Sequence, residues 1–347
     1  MTTTNNSLGF AFGKTLQDHN CESGIYQTNL KLKDMSIKKR ILGIVIAVCF
    51  ACCAFAQDSA PAHALRTFNK NLPPTTNCNG TPCDINYHGG IVFEDAPTVY
   101  IIYYGDWRAG DESIIDYYFE HLSGTSQEKI NTTYSDNTNR FITGTLNHST
   151  KNDYHDNYSL GKNLSGDSAI QAIVANAIST HNLPADTNGI YFVLTYKDVT
   201  LPGFCGSFCG YHGPSKSIVG GDIIKYAMVG DPDQCRSVCD ASQIIGDKGT
   251  PNNNHAADGT VNVMWHEFSE ASSDPKINLD TAWSGHFCGE SGDCCAWLFG
   301  TLKLGSNGAH YTNTIGSKNF LTQEMLQLTT TSRSGNVPGE CENVYKK

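Results

Sequence analysis

The chain has 347 residues, a net charge of −10 and 39% hydrophobic residues, enough for one large domain or two small ones. An acidic balance argues against nucleic acid as a partner, because a phosphate backbone is bound by Lys and Arg. Neutral or basic partners suit it better.

Residues 1–34 are polar, rich in Thr and Asn, and show no period. The basic stretch MSIKKR, Met35–Arg40, precedes the apolar run ILGIVIAVCFACCAFA. A basic start, a short apolar core and an Ala-Phe-Ala end are the parts of a secretory signal peptide, cut after Ala56. The run is short for a signal anchor, since a spanning helix takes about 20 apolar residues. Met35 is then the expected initiator, with residues 1–34 a non-native upstream extension and 35–56 the signal. Residues 1–56 carry six Lys and Arg against three Asp and Glu, so cleavage takes the net charge to −13. The expected destination is extracellular, with no membrane association after cleavage.

Cysteine usage agrees with export. Cys21, Cys49, Cys52 and Cys53 leave with the leader, and ten remain. They are Cys78, Cys83, Cys205, Cys209, Cys235, Cys239, Cys288, Cys294, Cys295 and Cys341. An even set in an oxidising compartment reads as five disulfides. We expect local bridges within Cys78/Cys83, Cys205/Cys209 and Cys235/Cys239, with Cys341 returning to Cys294 or Cys295. A zinc ribbon built on the CxxxC pairs is the alternative, disfavoured because thiolates oxidise outside the cell. Beyond the leader, five glycosylation sequons begin at Asn79, Asn131, Asn147, Asn157 and Asn163.

Residues 57–86 hold Pro, Thr and Asn with little period and read as a linker, so the ordered domain is expected over 87–347. TVYIIYYG, Thr98–Gly105, is a near-continuous β-branched and aromatic run, as a strand buried on both faces requires. Ser113–Leu122 has helical spacing, and SAIQAIVANAI, Ser168–Ile178, is an apolar helix started by Gly166-Asp167. GIYFVLTYKDV, Gly189–Val199, reads as a second buried strand. FCGSFCGYHG follows as a Cys-rich turn, and Asp222–Gly230 as a third strand. Strands alternating with helices define an α/β fold: a single layered domain with a mixed sheet and flanking helices, held by disulfides.

VNVMWHEFSEASSDP, Val261–Pro275, reads as an apolar helix carrying His266, Glu267, Glu270 and Asp274. Residues four apart share a helix face, so His266, Glu270 and Asp274 lie together with Glu267 beside them. This is similar to the HExxH helix of zincins with Glu in place of the second His. Glu290 follows twenty residues after Glu270, in GESGDC, with Asp293 close behind; gluzincin peptidases take their third ligand from a Glu at about that distance. The reading gives His266, Glu270 and Glu290 as metal ligands and Glu267 as general base. Asp293 would orient His266, and Asp274 would cap the helix or serve as a spare ligand. A solvated acidic face is the plain alternative, but the apolar run into His266 speaks against it. Two carboxylates cancel the charge of a divalent ion, activate bound water less than a His₂Glu site, and shift preference from zinc toward harder ions such as Mn²⁺ or Ca²⁺.

The other histidines signal less. His88 and His212 sit beside glycines, where a loop His bonded to backbone is the ordinary finding. His286, between Trp283 and Cys288, would line a cleft. Trp107, Trp265, Trp283 and Trp297 read mainly as core.

Taken in order, YHGG, VYIIYYGDW, NYSLGKNLS, GIYFVLTYKDV, FCGSFCGYHG, QCRSVC, DGTVNVMWHEFSEASSDP, AWSG and NFLTQEML form one run. It resembles the EXORDIUM / phosphate-induced protein 1 family over Tyr87 to Gln323. The resemblance implies an extracellular or cell-wall protein linked to growth and nutrient response, and implies no settled activity. Two functions fit the chain. One is a secreted wall or matrix protein with a degenerate metal site. The other is a metal-dependent, peptidase-like hydrolase using Glu267.

Overall fold

A computed structural model describes residues 64–70, 84–93, 95–181, 183–285 and 289–347, all within the unit Asp58–Lys347. Seven strands open the chain: β1 Ala64–Arg66, β2 Asp84–Tyr87, β3 Val99–Tyr104, β4 Asp153–Asp156, β5 Ile190–Thr195, β6 Phe208–Ser215 and β7 Ile224–Gly230. Six of them form one sheet in the order β1-β6-β7-β5-β3-β4. β7, β5, β3 and β4 run parallel, and β6 and β1 add to the β7 edge antiparallel. Every residue of β3, β5 and β7 is buried, as their nearly continuous apolar sequences require, with Lys225 of β7 the one charged residue among them. The signal peptide and upstream extension read from residues 1–56 lie outside the described residues.

Three long helices flank this sheet: α1 Ala109–Leu122, α2 Asp167–His181 and α3 His255–Ser273. Side chains alternate across a strand, so the contacts place the helices on opposite faces. Phe192 of β5 meets Phe119 of α1, which also packs on Phe268 of α3. Tyr226 of β7 instead donates its hydroxyl to Asp167 of α2. The result is a layered α/β domain with a mixed sheet and flanking helices. A second antiparallel sheet joins β2 to three later strands, β8 Trp283–Ser284, β13 Met325–Leu328 and β14 Val337–Glu342, in the order β13-β14-β2-β8. Between β8 and β13 come four short strands in two hairpins, β9 Lys303–Leu304 with β10 His310–Tyr311 and β11 Asn313–Ile315 with β12 Lys318–Phe320. No helix among the described residues is long and apolar enough to cross a membrane.

Four features differ from the sequence reading. First, the Cys-rich segment expected as a turn contains β6, because Gly210 to Ser215 pair with β7 residue by residue and Phe208 pairs with Arg66 of β1. Second, the cysteines bridge across rather than within their sets: Cys205–Cys235 and Cys209–Cys239. The two CxxxC pairs face each other as rungs, so the local pairing and the zinc ribbon are both overturned for these four. Cys341 does return to the expected place, bonding Cys295. Cys294 is also in a disulfide, whereas Cys78, Cys83 and Cys288 lie outside the described residues.

Third, the stretch read as a linker supplies β1 and β2. Ala64 and Leu65 are buried at 2% and 0% exposure, and a segment of so few residues leaves no period to detect. Fourth, the sequon Asn131 is 1% exposed, so the folded chain closes it to sugar. Asn147, Asn157 and Asn163 are exposed, and Asn79 lies outside the described residues.

The Cys209–Cys239 bridge closes a separation of 30 residues and both partners are fully buried. Chain entropy puts the cost of opening such a loop at about 3–4 kcal/mol. A Cys209→Ser/Cys239→Ser double variant is therefore expected to unfold at a clearly lower denaturant midpoint than the oxidised wild type. An unchanged midpoint would deny the cross-pairing.

Candidate metal centre

Helix α3 is buried on every side from Ala256 to Ser273, although that stretch carries nine polar or charged side chains. A helix hidden all round is normally apolar. Here several of its polar groups find partners. The Asn254 side chain caps the start by accepting from Ala257 N, and its amide reaches Asp111. Asp258 accepts from Asn252, and the Asn262 side chain accepts from Gln323 N. Ser272 and Ser273 donate to carbonyls of the last turn. These interactions position the four residues from His266 onward.

Glu267 points to β6, where its Oε2 is 3.1 Å from His212 Nδ1. Its Oε1 accepts from the backbone N–H of Leu65 in β1 at 3.3 Å. Gly210 makes this contact possible, since a Cβ there would stand 2.6 Å from Val263 and 3.1 Å from Glu267 Oε1. Glu270 points to the loop 289–295, which the Cys295–Cys341 bridge ties to β14. Glu270 Oε1 accepts from Gly292 N at 3.1 Å and Asp293 N at 2.8 Å, and lies 3.1 Å from His266 Nε2. His266 Nε2 is 3.7 Å from Asp293 Oδ1. Across the cluster, Glu270 Oε2 is 3.7 Å from His212 Nδ1, and Glu290 Oε2 is 3.7 Å from His212 Nε2.

Five carboxyl groups and two imidazoles thus occupy one buried volume. Burial disfavours each charge, so it raises the carboxyls of Glu267 and Glu290 and pushes Asp274 up to about 7. Glu270 goes the other way. Burial would raise it, but His266, His212 and the amide of Asp293 outweigh that and hold it below the usual range. Burial also opposes a charged His266, yet Glu270 first, then Glu267 and Asp293, push it up to about 10. Glu270 and His266 thus face each other as an ion pair while the other carboxyls tend to hold protons, which a divalent ion bound here would displace.

Two trios offer donor atoms within 4.8 Å of one another: His212, Glu267 and Glu270; and His266, Glu270 and Asp293. They share Glu270. Around an ion with bonds of about 2.0–2.1 Å, tetrahedral donors stand about 3.3–3.4 Å apart. The N···O separations of 3.1–3.7 Å bracket that value. Glu270 Oε2 and both ring nitrogens of His266 are buried without a hydrogen bond, so donors of the right kind are left for a metal. The residues fit zinc or a harder divalent ion.

The structure brings together the α3 segment and the 289–295 loop that the sequence reading named, with differences in which residues meet. That reading gave Glu290 as third ligand and Asp293 as a supporting group, whereas Asp293 shares the trio with His266 and Glu290 faces His212. His212 is not a loop residue. It lies within β6, 5% exposed, and the alternation of the strand aims it at α3. Asp274 closes the helix, accepting from Ala282 N at 2.9 Å. His88 is an exposed loop residue near the carbonyl of Ser284. All four Trp are buried, and His286 lies outside the described residues. The reading had no signal for the backbone donors Leu65, Gly292 and Asp293.

An α/β domain with a buried carboxylate–histidine centre on one helix is the class that fold and site define. Residues 85–320 match the model for the phosphate-induced protein 1 conserved region, and the chain belongs to that family. It is 31% identical over 249 residues to Protein EXORDIUM-like 3 of Arabidopsis thaliana, covering 64% of this chain and 71% of the relative. Protein EXORDIUM-like 5 of the same plant is 30% identical over 245 residues, 62% of this chain and 65% of the relative. Protein PHOSPHATE-INDUCED 1 of Nicotiana tabacum is 27% identical over 200 residues, 51% and 60%. No solved structure matches the chain.

Gly292 gives the geometry a direct check. A Cβ there would stand 2.8 Å from His266 Nδ1 and 3.0 Å from Glu270 Oε1. Gly292→Ala is expected to displace the loop from both groups and weaken zinc binding at least tenfold in a competition titration. A variant binding zinc like wild type would contradict this packing.

Proposed function

We propose that the chain is an exported wall or matrix protein in which His266, Glu270 and Asp293 hold one divalent ion that stabilises the domain. The ion would supply positive charge to a cavity otherwise filled by carboxylates. His212 and Glu267 would flank it. The carrying observation is burial: the side chains of His212, His266, Glu267, Glu270 and Glu290 are at most 2% exposed, and Asp293 reaches 16%. A substrate needs an approach that such a centre withholds.

The state of Glu267 supports the same reading. A hydrolase would aim this carboxylate at a metal-bound water. Here one oxygen faces His212 and the other accepts from Leu65 N. Export is supported by the disulfides and by the basic and apolar leader. A neutral or basic wall component is the partner class that the acidic surface favours. The role in growth or nutrient response implied by the family belongs to this proposal.

Elemental mass spectrometry of the purified mature protein tests it. We expect a stoichiometric divalent ion that His266→Ala removes from this centre and Glu267→Gln retains, with no peptide-library cleavage by wild type. Loss of a wild-type cleavage activity by about 10² or more in a folded, metal-loaded Glu267→Gln variant would instead establish a hydrolase. A wild type with no ion at this centre would overturn the metal reading.

A further inference from the structure

A second cluster lies at the opposite edge of the main sheet, away from α3. His148 precedes β4, Asp153 is the first residue of β4, and Asp116 projects from the middle of α1. Parallel pairing sets Asp153 beside Ile101 of β3. The His148 side chain is 0% exposed, and those of Asp116 and Asp153 are 10% and 7%.

The arrangement of the imidazole is informative. Its Nδ1 lies 3.0 Å from the carbonyl oxygen of Val99, at the start of β3. A carbonyl only accepts, so Nδ1 carries a proton, and in the neutral ring Nε2 presents a lone pair; burial opposes a second proton there but Asp116 and Asp153 favour one, which a bound cation would displace. That lone pair faces two carboxylates, with Asp116 Oδ1 at 3.6 Å and Asp153 Oδ1 at 4.0 Å. Acceptors turned toward acceptors repel unless a cation stands between them. A proton on Nε2 bridges poorly, because 3.6 Å exceeds hydrogen-bond length. Both His148 Nε2 and Asp153 Oδ1 are buried without a hydrogen bond.

We propose that Asp116, His148 and Asp153 form a second divalent-cation site, separate from the α3 centre. The three donor atoms lie within 4.8 Å of one another. With tetrahedral angles, the His148–Asp116 and His148–Asp153 spacings of 3.6 and 4.0 Å correspond to bonds of about 2.2–2.4 Å, just beyond the range for zinc–nitrogen and zinc–oxygen bonds. One nitrogen and two carboxylate oxygens suit zinc or manganese. The bond from Nδ1 to a backbone carbonyl is the support that metal-bound histidines ordinarily have. Tyr103 supports Asp116 in the same way, donating its hydroxyl to Oδ1 at 2.6 Å and leaving that oxygen a further lone pair. Glu112 is near enough to act on the Asp153 carboxyl, and it lies 3.5 Å from His155, the two side chains being 16% and 61% exposed. Water or one of these side chains would complete the coordination.

The test is a zinc titration of the full chain against a competing chelator dye, with far-UV circular dichroism to confirm folding. Asp153→Asn keeps shape and removes the charge, and His148→Ala removes the nitrogen. Wild type is expected to bind one more zinc ion than either folded variant, or to bind it at least tenfold more tightly. The His266→Ala chain should retain that ion, which separates this proposal from the reading of the α3 centre. Should the α3 centre prove empty, one zinc ion in wild type that Asp153→Asn removes would still establish the site. Equal stoichiometry and affinity in wild type and both folded variants would overturn it.

Discussion

Burying ionisable groups is the constraint on which this structure turns. Helix α3 runs through the middle of the domain and takes His266, Glu267 and Glu270 out of water. A lone carboxylate in such surroundings costs several kcal/mol or becomes protonated. Five of them require compensation, and two imidazoles supply only part of it. Backbone amides of Leu65, Gly292 and Asp293 supply more. A divalent ion would meet the remainder at one point, where His266, Glu270 and Asp293 converge.

The surrounding elements bring these groups together. β6 carries His212 to the helix, and the absence of a side chain at Gly210 lets Val263 and Glu267 lie against its backbone. The Cys205–Cys235 and Cys209–Cys239 bridges bind the start of β6 to the segment that precedes α3. Cys295–Cys341 fixes the loop that offers Glu290 and Asp293. Each disulfide thus acts at a segment feeding the centre, and oxidation of the chain and assembly of the centre become linked. The same disulfides suit the exported setting that the leader suggests.

Much of this was legible in the sequence, and the gaps have physical causes. β3, β5 and β7 stood out because strands covered on both faces are continuously apolar. β4 did not, because DYHD is a polar edge strand defined by its pairing with β3. The start of α3 escaped notice because HAADGT reads as surface, although in the fold Asp258 and Thr260 are buried. His212 resembled a loop residue for its neighbouring glycines, which in fact permit close packing of β6. Spacing alone could not distinguish bridges within the CxxxC pairs from bridges between them. GESGDC was marked as the partner of the helix, but which of its carboxylates meets His266 depends on the turn at Gly292, a backbone property without a sequence period.

The most direct test of the central claim is thermal unfolding of the oxidised mature chain before and after exhaustive chelation. If a bound ion compensates the buried carboxylates, chelation removes a ligand of the native state alone and lowers Tm by several degrees, and added zinc or manganese restores it. An identical Tm in the metal-loaded and metal-free chain would contradict the account. The cluster would then be satisfied by its own protons and hydrogen bonds, and the ion would have no part in holding the fold.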